Sequence, residues 1–462
     1  MTSIQVPPDT LGDPVALAQR FPADFAWGAA TAAYQVEGAA AVDGRGPSIW
    51  DTFSHAPGRT QNGDTGDTAC DHYHRWRADL DLMAHIGLRA YRFSISWPRI
   101  QPGGSGPTNA AGLDFYDRLV DGLLERGIEP WVTLYHWDLP QQIEDRGGWL
   151  QPEVVERFAE YTGIVAHRLG DRVGAWMTLN EPRTFAFMGY GTGEHAPGRR
   201  GWAGALRAAH HAHLAHASAT AAIRAIRPAA SIGIGHDVAD LLPASHSAED
   251  LAAVVRYDGA MHRWFLEPTF GRGYPADLVT WYEGLGLLEG IDLAAVDALA
   301  APDFLAVNYY RRERVAAARP ERDWGIGARV LDASGERTAI GWEIHPYGLR
   351  ATLQRIARDY RPAALAITEN GATFVDSVAA DGSVDDPERV RYLAAHVHAA
   401  GEAIAGGVPL IGYFVWSLID NFEWALGYGT PFGIVHVDFS TQRRTPKASG
   451  EWYRALLAAG RR

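Results

Sequence analysis

The chain has 462 residues, 47% of them hydrophobic and 21% charged, a globular balance that excludes intrinsic disorder and fibrous architectures. Its 42 basic and 55 acidic residues give a net charge of −13 without any basic stripe, which argues against nucleic acid as a partner. A lone cysteine, Cys70, cannot form an internal disulfide, and no run of about 18 apolar residues offers a membrane span.

Residues 1–20, with Pro7, Pro8 and Pro14, read as an irregular lead-in to one catalytic unit over 21–462. They show no basic start followed by an apolar stretch, so the expected location is the cytoplasm. Beyond them, short apolar runs predict strands over 25–29, 90–95, 130–134, 174–179, 231–235, 304–309, 364–368 and 410–416. Apolar residues at helical spacing predict helices over 73–86, 112–126, 152–169, 203–226, 347–359 and 387–405. This alternation implies parallel strands with helical crossovers, and eight strands fit a single (β/α)8 barrel with extended βα loops. A doubly wound sheet is the alternative, but no G-x-G-x-x-G follows a strand and opens a helix.

Such a barrel places its chemistry at the C-terminal ends of the strands. Those ends read Ser94-Ile95-Ser96, Tyr135-His136-Trp137, Asn180-Glu181-Pro182, Asn308-Tyr309-Tyr310, Thr368-Glu369-Asn370 and Trp416, with Asn421-Phe422-Glu423-Trp424 just beyond. Glu181 and Glu369 each follow an apolar strand. A lone glutamate at such a place is as readily a cap or an ion-pair partner; two together form the pair that glycoside hydrolysis requires, one to protonate a leaving oxygen and one to attack or activate water. Among 16 tryptophans, Trp137, Trp342, Trp416 and Trp424 stand at or near loop ends. An indole can stack on a sugar ring while Gln35, His136, Asn180 and Glu423 bind its hydroxyls, although any one tryptophan is more simply packing.

Two other chemistries fare worse. His210, His211, His213 and His216 lie in an Ala-rich helix without carboxylates nearby, so a packed or solvated face explains them better than a metal site, and no metal is expected. The single lysine, Lys447, sits in TQRRTPKASG, a polar stretch that reads as surface, which leaves Schiff-base and pyridoxal-phosphate chemistry without an amine. No cofactor is expected.

From about Phe21 to Tyr453 the sequence resembles the glycoside hydrolase family 1 β-glucosidases, in the blocks FAWGAATAAYQVEG, YRFSISWPRI, YHWDLP, TLNEP, NYY, ITENG, WSLIDNFEW and PFGIVHVDF. The resemblance implies a retaining mechanism with Glu181 as general acid/base and Glu369 as nucleophile. It implies that Arg92 and Tyr310 orient the nucleophile, with Asn308 beside them, and that Asn180 binds the sugar 2-hydroxyl. Gln35, His136, Trp137, Trp416, Glu423 and Trp424 match the pocket for the nonreducing sugar, Phe432 an aromatic lining position and Trp342 the leaving-group platform. The implied partners are small β-glucosides or β-linked oligosaccharides, with β-galactosides and β-fucosides secondary. Relatives that cleave 6-phosphosugars lack the acid at Glu423, whose charge would repel phosphate. The charge of Glu369 is expected to raise the pKa of Glu181.

Two positions depart from the family. Arg183 stands where many relatives carry tryptophan, and Asp237 where they often have asparagine; paired, they would make the leaving-group side polar or form a structural salt bridge. Transglycosylation and a catalytically silent sugar-binding barrel are the competing readings, the second disfavoured because both carboxylates are present. Leaving-group preference and oligomeric state are not encoded legibly.

Overall fold

The computed structural model describes residues 13–318 and 325–460. Eight parallel strands close a barrel: β1 (Ala26–Ala30), β2 (Ala90–Ser94), β3 (Glu129–Tyr135), β4 (Ala175–Asn180), β5 (Ser231–Asp237), β6 (Phe304–Asn308), β7 (Leu365–Asn370) and β8 (Leu410–Trp416). They follow one another around the barrel in chain order, and β1 pairs with β8, Ala26 beside Gly412 and Ala30 beside Trp416, so no edge stays open. Every predicted strand and helix is present, with ends displaced by at most two residues.

The helices form where amphipathic spacing meets suitable ends. In Glu153–Leu169, Val154, Phe158, Tyr161, Val165 and Leu169 fall on one buried stripe, Glu153 and Glu156 occupy the first turn, and His167 and Arg168 the last. Inside the barrel Trp131 packs against Phe304 and Phe414, with ring centroids 5.3 and 4.8 Å apart. Two glycines admit these rings. A Cβ on Gly28 would lie 2.4 Å from the Phe414 ring, and one on Gly233 2.5 Å from the Phe304 ring. The barrel floor is therefore a packed plug, and the open space lies at the other end of the strands.

Three features differ from the sequence expectations. The lead-in is helical over Pro14–Ala18, capped by Asp13, with Leu17 and Ala18 buried; residues 1–12 lie outside the described residues. Beside the barrel, Asp240–Pro243, Arg312–Ala317 and Ala328–Leu331 form a small sheet, and Val435–Asp438 pairs with Arg443–Pro446. These short strands are largely polar or half-exposed, so they carry no apolar run to announce them. Lys447 is fully buried, not on the surface. The chain turns inward there to start the helix Ala448–Ala459, and the ammonium meets Asp376 and Asp420, the latter at 2.7 Å. A buried charge needs such partners. Among the described residues no helix is long and apolar enough to cross a membrane.

Candidate active site

A cavity of about 630 Å³ opens at the C-terminal ends of the strands. Glu181, Glu369, His136, Trp137, Tyr310, Trp342, Trp416, Glu423, Trp424 and Phe432 all line it. Arg92, Gln35, Asn180 and Asn308, the other candidates, stand against these groups in the surrounding hydrogen-bond network.

Glu369 is the next-to-last residue of β7, so it lies inside the strand rather than just after it as the sequence suggested. The pairing of β7 with β6 shifts register between Ile367 and Glu369, the kind of irregularity that re-aims a side chain. Arg92 donates to Glu369 Oε1 at 2.5 Å and Tyr310 donates to Oε2 at 2.5 Å. Burial raises the Glu369 pKa, and the Arg92 charge and the Tyr310 hydrogen bond oppose that rise. Arg92 is itself buried on β2, spread over Thr133 Oγ1, Thr368 O and Asn180 Oδ1 at 3.1, 3.1 and 2.7 Å.

Glu181 stands in a different setting. It follows β4 directly, at the N-cap of the helix Pro182–Phe187, with φ at 48°. Trp137 and Trp424 also have positive φ, so three cavity-lining residues hold sparsely populated backbone. Among the described residues no cation touches the Glu181 carboxyl: Asn308 Nδ2 donates to Oε1 at 2.7 Å and Thr184 Oγ1 to Oε2 at 2.8 Å. Its pKa is pushed up to about 8, first by burial, then by Asp237, then by Glu369. The sequence argument named Glu369 as the cause; burial and the neighbouring Asp237 are larger.

The network fixes a tautomer. Asn180 Oδ1 accepts from Arg92 and from Asn308 Nδ2, the latter at 3.0 Å, so its amide nitrogen faces His136 Nε2, also at 3.0 Å. Burial holds His136 neutral, and Nε2 therefore accepts while Nδ1 carries the proton. That Nδ1 is buried and has no partner among the described residues, and neither has Gln35 Oε1. Gln35 Nε2 reaches Asn421 Oδ1, Phe422 O and Glu423 Oε2 at 3.0, 2.9 and 3.4 Å. Glu423 is pushed up to about 8 by burial, Glu369 and Glu181. The Trp137 and Trp424 rings, 4.6 Å apart, wall this end.

The opposite wall carries the two departures. Arg183 pairs with Asp237, which also accepts from Arg311 at 3.5 Å; Arg311 in turn pairs with Glu313 at 2.6 Å and lies over the Trp342 ring at 4.9 Å. Arg183, Asp237, Arg311 and Trp342 all line the cavity. The sequence reasoning missed Phe53, on the helix Ile49–Ser54, and Arg59, His195, Arg200, Arg311 and Leu426, which also line the cavity, and Thr184, whose position three residues after Glu181 was the available signal. The clustered histidines turn to separate partners, His210 to Tyr274, His211 to Trp149 O and His216 to Thr178. Among the described residues no group of three or more His, Cys, Asp or Glu could hold a metal ion.

A closed (β/α)8 barrel whose mouth holds two buried carboxyl groups in contrasting settings defines a glycoside-cleaving hydrolase. The profile of glycosyl hydrolase family 1 matches residues 17–461, and the chain belongs to that family. It is 47% identical to β-glucosidase A of Thermotoga maritima, over 94% of this chain and 97% of that protein. It is 45% identical to a bifunctional β-D-glucosidase/β-D-fucosidase of Bifidobacterium breve, over 95% and 98%. A solved structure of the Thermotoga maritima β-glucosidase in complex with glucoimidazole superposes with a TM-score of 0.90 at 45% identity, covering 95% of this chain and 99% of that one.

Proposed function

We propose that the protein is a retaining, exo-acting β-glucosidase that removes terminal nonreducing β-D-glucosyl units, with β-galactosides and β-fucosides as secondary substrates. The observation that carries this reading is the asymmetry of two carboxyl groups in one cavity. Arg92 and Tyr310 favour the carboxylate of Glu369, while Glu181, raised to about 8, keeps its proton at neutral pH.

In the first step a Glu369 oxygen attacks the anomeric carbon, the glycosidic bond breaks, and the Glu181 proton passes to the departing oxygen. The ester removes the Glu369 charge, which lowers the affinity of Glu181 for a proton. In the second step Glu181 takes a proton from water as its oxygen attacks the same carbon, freeing Glu369 and releasing glucose with retained configuration. His136 Nδ1, Gln35 Oε1 and Glu423 supply hydrogen bonds to sugar hydroxyls, against the walls of Trp416 and Trp424. The closed end formed by these groups supports exo action. The lone cysteine, buried and unpaired, agrees with a cytoplasmic location; short oligosaccharides from cellulose fit the substrate class.

Discrimination against 6-phosphosugars rests on Glu423: a phosphate beside this acidic group would also feel Glu369 and Glu181, which act on the same carboxyl. Parallel assays on the p-nitrophenyl β-glucoside, β-galactoside, β-fucoside and 6-phospho-β-glucoside test this reading. Fastest turnover of the glucoside is expected; fastest turnover of the phosphorylated one would overturn it.

A further inference from the structure

The outer end of the cavity has a charge balance opposite to that of the protein. The chain carries −13, yet outside the three deep carboxyl groups the lining holds Arg59, Arg183, Arg200 and Arg311 against Glu194 and Asp237. Asp237 is already shared by Arg183 and Arg311. Arg59 and Arg200 are exposed and flank one turn: Arg59 Nη1 donates to Gly193 O at 3.5 Å, and Arg200 Cγ lies 2.9 Å from where a Cβ on Gly193 would stand. Among the described residues no carboxylate pairs with either. Among the described residues, two further nitrogens of cavity-lining side chains are buried without partners, Arg183 Nε and, on the Gly193 turn, His195 Nδ1.

Apolar side chains line the same cavity: Phe53, whose ring Arg59 covers at 5.2 Å, Trp342, whose ring Arg311 covers at 4.9 Å, and Ile340 and Leu426; the cavity volume falls within the ~300–1,000 Å³ of sites that bury most of a drug-sized ligand. Space therefore exists for a flat leaving group next to the sugar.

We propose that this end takes an aromatic leaving group bearing a carboxylate, so that β-glucosides of aromatic acids are preferred substrates, with Arg59 and Arg200 as the cations that meet the anion. This rests on the β-glucosidase reading and narrows it. Unpaired cations beside an apolar slot favour a planar anion, and the paired Arg183 and Arg311 keep the floor of the slot from repelling it.

The test compares 4-carboxyphenyl β-D-glucoside with its neutral 4-carbamoylphenyl analogue, measuring kcat/KM by glucose release from the intact chain and from Arg59→Gln/Arg200→Gln. The ratio of the two substrates on one preparation is independent of how much protein is folded, and the two single variants provide a second reading. The carboxylate-to-amide ratio should fall about five- to tenfold in the double variant, the effect of losing two exposed ion pairs. It should also shrink in the unaltered protein as ionic strength rises from about 0.05 to 0.5 M. A ratio that is unchanged or higher in the variants would overturn the proposal. Failure of the unaltered protein to cleave p-nitrophenyl β-D-glucoside would instead overturn the β-glucosidase reading, and this proposal with it.

Discussion

The two ends of the cavity solve opposite problems. At the inner end, Arg92, Asn180, Asn308 and Thr368 are fully buried, and their hydrogen bonds interlock, each fixing the orientation of the next. At the outer end, Arg59 and Arg200 stand exposed on loops, while Arg183, on the helix Pro182–Phe187, and Arg311 share Asp237 at the end of β5. An interlocked buried network tolerates almost no substitution, because every loss strands a polar group. A partly solvated rim can exchange residues at small cost. In the reading proposed above, positioning of the two carboxyl groups thus rests on this buried network, and choice of leaving group on the outer rim.

The largest expected effect lies at the inner end. Glu369→Gly should reduce hydrolysis of p-nitrophenyl β-D-glucoside by about 10⁵-fold, since no other group can form the intermediate. Substantial residual turnover would mean that the nucleophile lies elsewhere. Glu181→Ala should cost roughly 10²–10⁴-fold on substrates with poor leaving groups and far less on dinitrophenyl glucosides, which need little protonation. Equal losses on both would remove the acid role.

Arg92→Ala leaves the Glu369 carboxylate buried without its cation, for an expected loss of about 3–5 kcal/mol in stability, measured by urea denaturation. Arg200→Ala, at the exposed rim, should leave the denaturation midpoint in place, and similar shifts for both would erase the contrast between the ends. The smallest effect couples the ends. Glu181 acts as acid while protonated, so kcat/KM should fall as pH rises through about 8. Asp237→Asn removes a negative neighbour while Arg183 stays positive, so this fall should move to lower pH. An unmoved profile would separate Asp237 from Glu181.

The same contrast explains what the sequence could reveal. Barrel strands are buried apolar runs, and the inner-end residues follow them immediately, as Glu181 follows β4, so both fold and candidate positions were legible. The rim was not, because Arg59, Arg200 and Leu426 sit in loops whose path depends on tertiary packing. Lys447 misled for a related reason. Its neighbours in sequence are polar, but its burial is decided by Asp376 and Asp420, 71 and 27 residues away. The order of influences on Glu181 was equally hidden, since Asp237 reaches it across the pairing of β4 with β5.

The most direct test of the account follows the anomeric proton by NMR during the first minutes of p-nitrophenyl β-D-glucoside hydrolysis. The account predicts that β-glucose appears first and then mutarotates. Initial release of α-glucose would contradict the assignment of Glu369 as a nucleophile and of Glu181 as a single group serving both steps.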